Sequence, residues 1–500
     1  MTSRRSCLIR GAVACLLLSG CATANLRSSR SGGQAAYGTY LRGLWLERSG
    51  QLGGAIKEYQ AALSSDKHSP LLHVRIGGVY LKQGAIQRAF DEFQKALTLD
   101  PAQPEALRWI AMLHASQGDL DKSIEAYEQL LKSEPKDQTA LSTLADLYVL
   151  QGELQKAIDV YYRLISEFGS TSQLHFNLGI LYGRLNRYRD STEELSRALE
   201  LAPEAVEIRV AMGLTYELDG QFDNAVGHYE DAIRMEPLNP RLYHHAARAL
   251  LSAKRYAESA AEYQAVLDLM PRDVEAIMGL VRVWLAQNRF DDAAVFLNKK
   301  LKELGNPPEL YVALGIVYRE AKQAEEAMRA FQRAVDLKED YAQAHFYLAA
   351  QLDQLGRRDL ARQNLRRTLE IEANHADAMN YLGYLDTEAG DNLDEAKALI
   401  ERALSLDPDN GAYVDSMGWI YFKLGRLDDA ITYLERASRL LDSDPVIFEH
   451  LGDAYFGKKE LELARRNWQR ALKLKPDLES VKLKLEKISP AQHEATATVP

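Results

Sequence analysis

The chain repeats itself every 34 residues, and nothing else in it limits the fold so tightly. Leu99-Asp100-Pro101, Ser133-Glu134-Pro135, Met235-Glu236-Pro237 and Leu269-Met270-Pro271 recur at multiples of that spacing. Pro203, Pro408 and Pro476 join the same register once a single inserted residue near Asp391 is allowed. Seven of the fifteen prolines therefore share one repeat position, which chance does not produce. Counting from Ala36, thirteen units run to about Leu478.

Inside each unit the register assigns side-chain sizes. The eighth position is small in nearly every unit, as in Gly43, Gly77, Ala111, Gly213, Gly315 and Gly452. The twentieth is Ala or Ser throughout, from Ala55 to Ala464. Small residues at these points let two helices approach closely. The twenty-fourth is often large, as in Tyr59, Phe93, Tyr229, Phe331 and Trp468, and is expected to fill the gap between units. Gly50, Gly84, Gly118, Gly152, Gly220, Gly356, Gly390 and Gly425 sit mid-unit, where a helix must end in a left-handed turn. Each unit thus reads as helix–turn–helix closed by proline.

This pattern resembles the tetratricopeptide repeat, over residues 36–478. The resemblance implies an all-α chain, an α-solenoid wound as a right-handed superhelix with a concave groove lined by first helices. One such unit cannot bury its apolar face alone, so neighbours must stack into a continuous core. Residues 479–488 continue helically as a polar cap, and 489–500 are expected to be disordered. Two units depart from the pattern. The eighth has Val281 at a small position, Lys300 at another and Asn306-Pro307-Pro308 at its end, which predicts looser packing or a change of pitch near 300–308. The eleventh carries the insertion and puts Asp386 on a seat for a large apolar residue.

Composition excludes several function classes. A formal charge of −10 argues against a nucleic-acid footprint. Cys7, Cys15 and Cys21 are the only cysteines, so the repeats hold neither disulfides nor a thiolate zinc site. No HExxH, phosphate loop, G-x-S-x-G or Cys/His pair occurs in them. Asp407-Pro408-Asp409-Asn410-Gly411 lacks the third acidic ligand of a calcium loop. His244 and His245 lie about 100° apart on a helix and do not chelate one metal together, so one is expected to pack and the other to face the groove. The chain reads as a non-enzyme, with no catalytic or metal residues, no cofactor and no small-molecule substrate.

The N-terminus reads as an address. Arg4, Arg5 and Arg10 precede a short apolar run, Gly11 to Leu18, which is too short for a spanning helix and fits a signal peptide over residues 1–20. Leu18-Ser19-Gly20-Cys21 resembles the lipobox of bacterial lipoproteins; the alternative is an ordinary signal with a chance cysteine. The lipobox resemblance implies cleavage before Cys21, acylation of that residue and, with Ala22 following, an outer-membrane anchor facing the periplasm. Residues 21–35 then form a flexible tether, with a reach of roughly 45–50 Å at about 3.3–3.6 Å per residue.

Groove positions two, five, nine and twelve read Arg241, His244, Arg248, Arg282 and Arg319 in the central units, a basic stripe on an acidic protein. Towards the C-terminus they become Phe346, Tyr384, Trp419, Phe422 and Phe456. Arginine beside exposed aromatics is the composition of a binding hot spot, here for a partner peptide carrying acidic groups. The alternative is a solvated face with its aromatics partly buried between helices. A clamp for a C-terminal carboxylate is not supported, since Asn177 and Asn380 lack partnering lysines.

The stretch from Tyr381-Leu382-Gly383-Tyr384 through Leu406-Asp407-Pro408-Asp409-Asn410, with Asp415-Ser416-Met417-Gly418-Trp419-Ile420-Tyr421, resembles the C-terminal repeats of large bacterial repeat lipoproteins. Some of those are adaptors that dock a periplasmic carboxy-terminal processing protease. The expected function is accordingly a lipid-anchored scaffold binding other proteins in its groove. The alternatives are a pilotin for secretin assembly and a scaffold for exopolysaccharide export.

Overall fold

A computed structural model describes residues 33–488, with side chains from Ala36 onward. The signal peptide, Cys21, the tether up to residue 32 and the tail 489–500 lie outside the described residues. The described residues fall into two compact units divided between Leu242 and Tyr243. Each is built from helices alone among those residues.

Unit 1 holds six hairpins. They are α1 (Gly33–Arg48) with α2 (Leu52–Ser65), α3 (Pro70–Lys82) with α4 (Ile86–Leu99), and α5 (Pro104–Gln117) with α6 (Leu120–Ser133). Then come α7 (Gln138–Gln151) with α8 (Leu154–Phe168), α9 (Ser172–Arg184) with α10 (Tyr188–Leu201), and α11 (Val206–Leu218) with α12 (Phe222–Met235). The start of α1 corrects the tether boundary: the helix begins at Gly33, because Gln34-Ala35-Ala36 extends the first turn backwards.

The division falls inside α13 (Pro240–Ser252), which precedes α14 (Tyr256–Leu269). Unit 2 continues with α15 (Val274–Ala286) and α16 (Phe290–Leu304), α17 (Pro308–Glu320) and α18 (Ala324–Leu337), and α19 (Ala342–Gln354) and α20 (Arg358–Ile371). Its last hairpins are α21 (Ala376–Ala389) with α22 (Leu393–Leu406), α23 (Gly411–Lys423) with α24 (Leu427–Leu440), and α25 (Pro445–Gly457) with α26 (Leu461–Leu474). A shorter helix, α27 (Glu479–Lys487), packs on α26.

The turn within each hairpin has one conformational requirement, and the register meets it every time. Gly50, Gly84, Gly118, Gly152, Gly220, Gly356, Gly390 and Gly425 all have φ between 73° and 89°. In the remaining hairpins the same register position is occupied by Asn186, Asn288, Lys254, Lys322 and Lys459, at φ between 57° and 65°. Asparagine tolerates this region, whereas lysine pays the full steric cost of a Cβ there. At helix starts, proline occupies the first helical position of α3, α5, α17 and α25, where its fixed φ fits and no N–H is lost.

Opposite glycine at position eight, the large residue at position twenty-four packs inside its own hairpin, which corrects the expectation that it fills the gap between units; Tyr263 does reach the next unit, against Gly279. A Cβ added to Gly43 would lie 2.5 Å from the Tyr59 ring, one on Gly213 2.4 Å from Tyr229, and one on Gly452 2.3 Å from Trp468. The missing methyl is the space the ring fills, and Tyr59, Phe93, Tyr229, Phe331 and Trp468 are almost wholly buried there. Burying such a side chain stabilises by about 2–3 kcal/mol. The outer side of some rings then meets the next unit, as where Phe93 stacks on Trp109 at 5.9 Å.

Two polar clips recur within hairpins. Ser123, Ser191 and Ser259 donate to the carbonyls of Ala111, Gly179 and Ala247, 2.7–2.8 Å away. His73, His175 and His345 place Nδ1 2.6–2.8 Å from Glu92, Glu194 and Asn364 on the second helix. Both clips satisfy buried polar groups at the tightest part of the hairpin.

The two irregular units have physical causes. At the eighth, α15 and α16 approach each other closely at fewer backbone positions than the helices of any other hairpin contained in one unit, and Val281 stands there where glycine or alanine normally does. Val281, Leu297 and Leu301 are nevertheless buried, and Lys300 bends to Glu303 at 3.0 Å. The connection after α16 needs two left-handed residues, Gly305 and Asn306, before Pro307. At the eleventh, Asp386 is buried and its Oδ1 lies 3.0 Å from Arg362 Nε. Burial raises the Asp386 pKa, with Arg362 and Arg366 opposing. Arg362 also lies 3.7 Å from Asp391, so one guanidinium ties the buried acid to the inserted segment, where Asn392 takes a φ of 45°.

Candidate functional site

First helices within unit 2 carry most of the residues singled out for a groove. Arg248 on α13 is exposed, with Nη2 3.2 Å from His245 Nδ1. Arg282 on α15 is exposed, and its guanidinium has no ion pair among the described residues. Arg319 on α17 bonds Glu320 at 3.2 Å and lies 5.6 Å from the centre of the Tyr347 ring. His244 is half-buried, with Nε2 3.3 Å from Asp273 and its ring edge-on to Tyr263. Arg241 is exposed and belongs to unit 1.

The aromatic run is internally stacked. Phe346 sits against Tyr347, His375 and Tyr381, with centroids 5.8, 4.9 and 6.5 Å away. Trp419 is the main correction: it is 7% exposed and so offers no open face. Its indole stacks near parallel on Phe422 at 4.8 Å and on His450 at 4.0 Å, and its Nε1–H donates to Glu388 at 2.7 Å. Lys423 covers the ring from 4.9 Å and approaches Glu388 at 3.5 Å. Tyr384 is half-buried, and burial, then Glu388 and Asp415, pushes its hydroxyl well above the ordinary phenol range. Phe422 is half-buried, whereas Phe456 stays 45% exposed beside Trp468.

Under this stack lies a charged pair that the groove positions did not single out. His450 Nδ1 is 3.0 Å from Asp415 Oδ2, and both side chains are buried. Burial pushes the imidazole pKa down, but Asp415, Asp453 and Glu449 together outweigh it and the net shift is upward. Next to it Lys484 of α27 reaches Glu449 and Asp453, each at 2.7 Å, while Trp468 Nε1–H donates to Asp453 at 3.0 Å. Burial raises the Asp453 pKa against the opposing pull of Lys484. Asp415 and His450 occupy adjacent register positions in successive units, a signal readable only when acids at buried first-helix positions are paired with histidine one unit later.

Chemically, the first helices of unit 2 offer exposed guanidinium groups, with Arg319 against the Tyr347 ring. No group of three or more His, Cys, Asp or Glu side chains is arranged to hold a metal among the described residues. No helix among them is long and apolar enough to cross a membrane.

Comparison with known proteins agrees with the architecture. Tetratricopeptide repeat models match residues 40–104, 110–171, 176–240, 210–271 and 351–411, others match 250–314 and 387–451, and a third matches 308–341. A TPR repeat-containing protein of Pseudomonas aeruginosa is 33% identical over 177 residues, covering 34% of this chain and 29% of that one. The TPR repeat-containing protein YpiA of Bacillus subtilis is 25% identical over 199 residues, 39% of this chain and 47% of its own. The chain thus spans less than half the length of these relatives. Among solved structures, a chain of the APC/C hetero-tetramer Cut9-Hcn1 aligns over 92% of this chain and 96% of its own, at 16% identity and a TM-score of 0.43.

Proposed function

The chain belongs to the tetratricopeptide repeat family, and from that membership we propose that it is a scaffold whose first-helix face binds other proteins. A repeat stack exposes long surfaces built from many short elements, and such a surface recognises an extended or helical segment rather than a small substrate. The observation that carries the reading is Arg282, an exposed guanidinium with no acidic partner among the described residues, at a first-helix register position like those of Arg248 and Arg319. A carboxylate-bearing segment of a partner would neutralise it. Among the aromatics of the C-terminal first helices, Phe456 stays exposed and supplies apolar surface to such a segment.

The finer reading rests on the sequence. With Cys21 lipidated, the repeats would be tethered to the outer membrane and face the periplasm, where an adaptor for a processing protease is the role that the C-terminal repeats resemble. Labelling with radioactive palmitate tests the anchor: Cys21→Ser should abolish incorporation, and undiminished label in that variant overturns it.

For the scaffold, affinity purification from detergent-solubilised envelopes compares the wild type with Arg248→Glu/Arg282→Glu. Partners lost from the variant at unchanged helical circular dichroism support this face. The same partners on both forms remove it as the binding surface.

A further inference from the structure

On the other side of the C-terminal hairpins an open cleft of about 760 Å³ lies among α24, α25 and α26. Its walls carry Arg439, Arg466, Arg470 and Lys473 against a single carboxylate, Glu435. That carboxylate is already engaged, accepting the Tyr455 hydroxyl at 2.6 Å. Arg439, Arg466 and Lys473 are exposed, and their side chains have neither an ion pair nor a hydrogen bond among the described residues. Some basic residues on other second helices pair three residues away along the helix, as Arg329 does with Glu326 and Arg367 with Glu370. Single cations without an ion pair also stand on other second helices, as Lys57 and Arg333 do among the described residues; here three of them line one cleft, on a chain of charge −10.

The floor is apolar. Phe448 and Leu451 come from α25, Arg470 lies 5.6 Å from the Phe448 ring centre, and Leu463 of α26 is 39% exposed at the rim. Phe448, Leu451 and Tyr455 stand at helical spacing on one face of α25, while His450 and Asp453 on its other side serve the Trp419 stack and Lys484. The cleft and the first-helix face are therefore separate surfaces carried by the same helix.

We propose that this cleft binds an acidic peptide segment of a partner protein, carboxylates meeting Arg439, Arg466 and Lys473 and an apolar side chain lying on Phe448. Charge complementarity sets the sign of the ligand, and the apolar floor selects peptide over a phosphate chain or a lipid headgroup layer, neither of which brings side chains to bury there. Asn467 on the wall donates its amide N–H to the Leu463 carbonyl at 2.9 Å and leaves Oδ1 to accept from a peptide N–H.

The test is fluorescence anisotropy of the full chain in detergent with a fluorescein-labelled nonapeptide alternating glutamate with leucine and phenylalanine. Binding that weakens at least tenfold in Arg439→Glu/Arg466→Glu/Lys473→Glu, and also in Leu463→Ala, is expected. These residues are exposed, so the variants should keep the wild-type circular dichroism. The comparison is repeated in an Arg248→Glu/Arg282→Glu background, where the first-helix face no longer attracts acids; the same tenfold loss on adding the cleft substitutions is expected there, which separates failure of the cleft from failure of the first-helix face. Wild-type affinity in the triple variant overturns the proposal. So does absence of peptide binding alongside capture by phosphatidylglycerol vesicles or a single-stranded oligonucleotide that the triple variant loses.

Discussion

His450 and Asp415 form a buried ion pair, Nδ1 to Oδ2 at 3.0 Å, that joins two successive hairpins beneath the Trp419 indole. The imidazole is held by the acid on its edge and the indole on its face, so charge and stacking fix the same ring. A buried pair stabilises only when both partners are present, since removing one strands the other in low dielectric.

The pair makes the C-terminal hairpins pH-dependent. The folded chain binds the His450 proton more tightly than the unfolded chain does, because its pKa is raised. That contribution is fully present below the unfolded value of about 6.5 and is lost as pH rises through the higher folded value. Asp415→Asn should cost about 3–5 kcal/mol at pH 6, with a smaller deficit at pH 9. Urea unfolding across that range reads the deficit, and a deficit that grows with pH contradicts the pairing. Histidine NMR should place the His450 midpoint above 6.5.

The eighth hairpin should open more readily than its neighbours. α15 and α16, with Val281 at the small position, make fewer close backbone approaches than neighbouring hairpins, which leaves their amides less protected. Hydrogen exchange is expected to be about tenfold faster across residues 274–304 than across 308–337. Uniform protection over both hairpins would mean that Val281 is accommodated without loss.

The helical hairpins were legible because the information is local: glycine at position eight and a ring at position twenty-four specify one close approach, repeated along the chain. Gly213 and Tyr229 do this sixteen residues apart, within the reach of a periodic reading. Trp419 was misread because its burial depends on His450, one unit further on, and on Glu388, one unit back. Those partners are not periodic, so position nine looked like an open groove seat. The basic cleft was hidden for the same reason. Arg439 and Lys473 look like ordinary solvated positions until α24 and α26 are seen to flank Phe448.

Lysines in left-handed turns are a reservoir of stability. Lys254, Lys322 and Lys459 occupy the register position that glycine fills in eight other hairpins, at φ of 61°, 60° and 65°. Replacing each by glycine removes a strain of about 1–2 kcal/mol and returns part of it as unfolded-state entropy. Lys459→Gly should raise stability by about 0.5–1 kcal/mol, and Gly356→Ala should lower it by about 1 kcal/mol. Thermal unfolding of the two variants should move in opposite directions.

Two glycines on consecutive helices give the sharpest contrast, because the same substitution should have opposite signs. Gly227 lies inside α12 with nothing within 4 Å of an added Cβ, so alanine there meets no neighbour and restricts only the unfolded chain. Gly227→Ala should stabilise by about 0.5–1 kcal/mol. Gly213 lies inside α11, where an added Cβ would fall 2.4 Å from the Tyr229 ring. The ring is fully buried and cannot swing away without displacing its neighbours, so Gly213→Ala should destabilise by about 1–3 kcal/mol. Chemical denaturation of both variants in the same background decides it. If Gly213→Ala were neutral, the hairpin would be able to pack with fewer close backbone approaches, as the eighth one does with Val281, and glycine at position eight would serve only to tighten a contact that the fold tolerates in looser form.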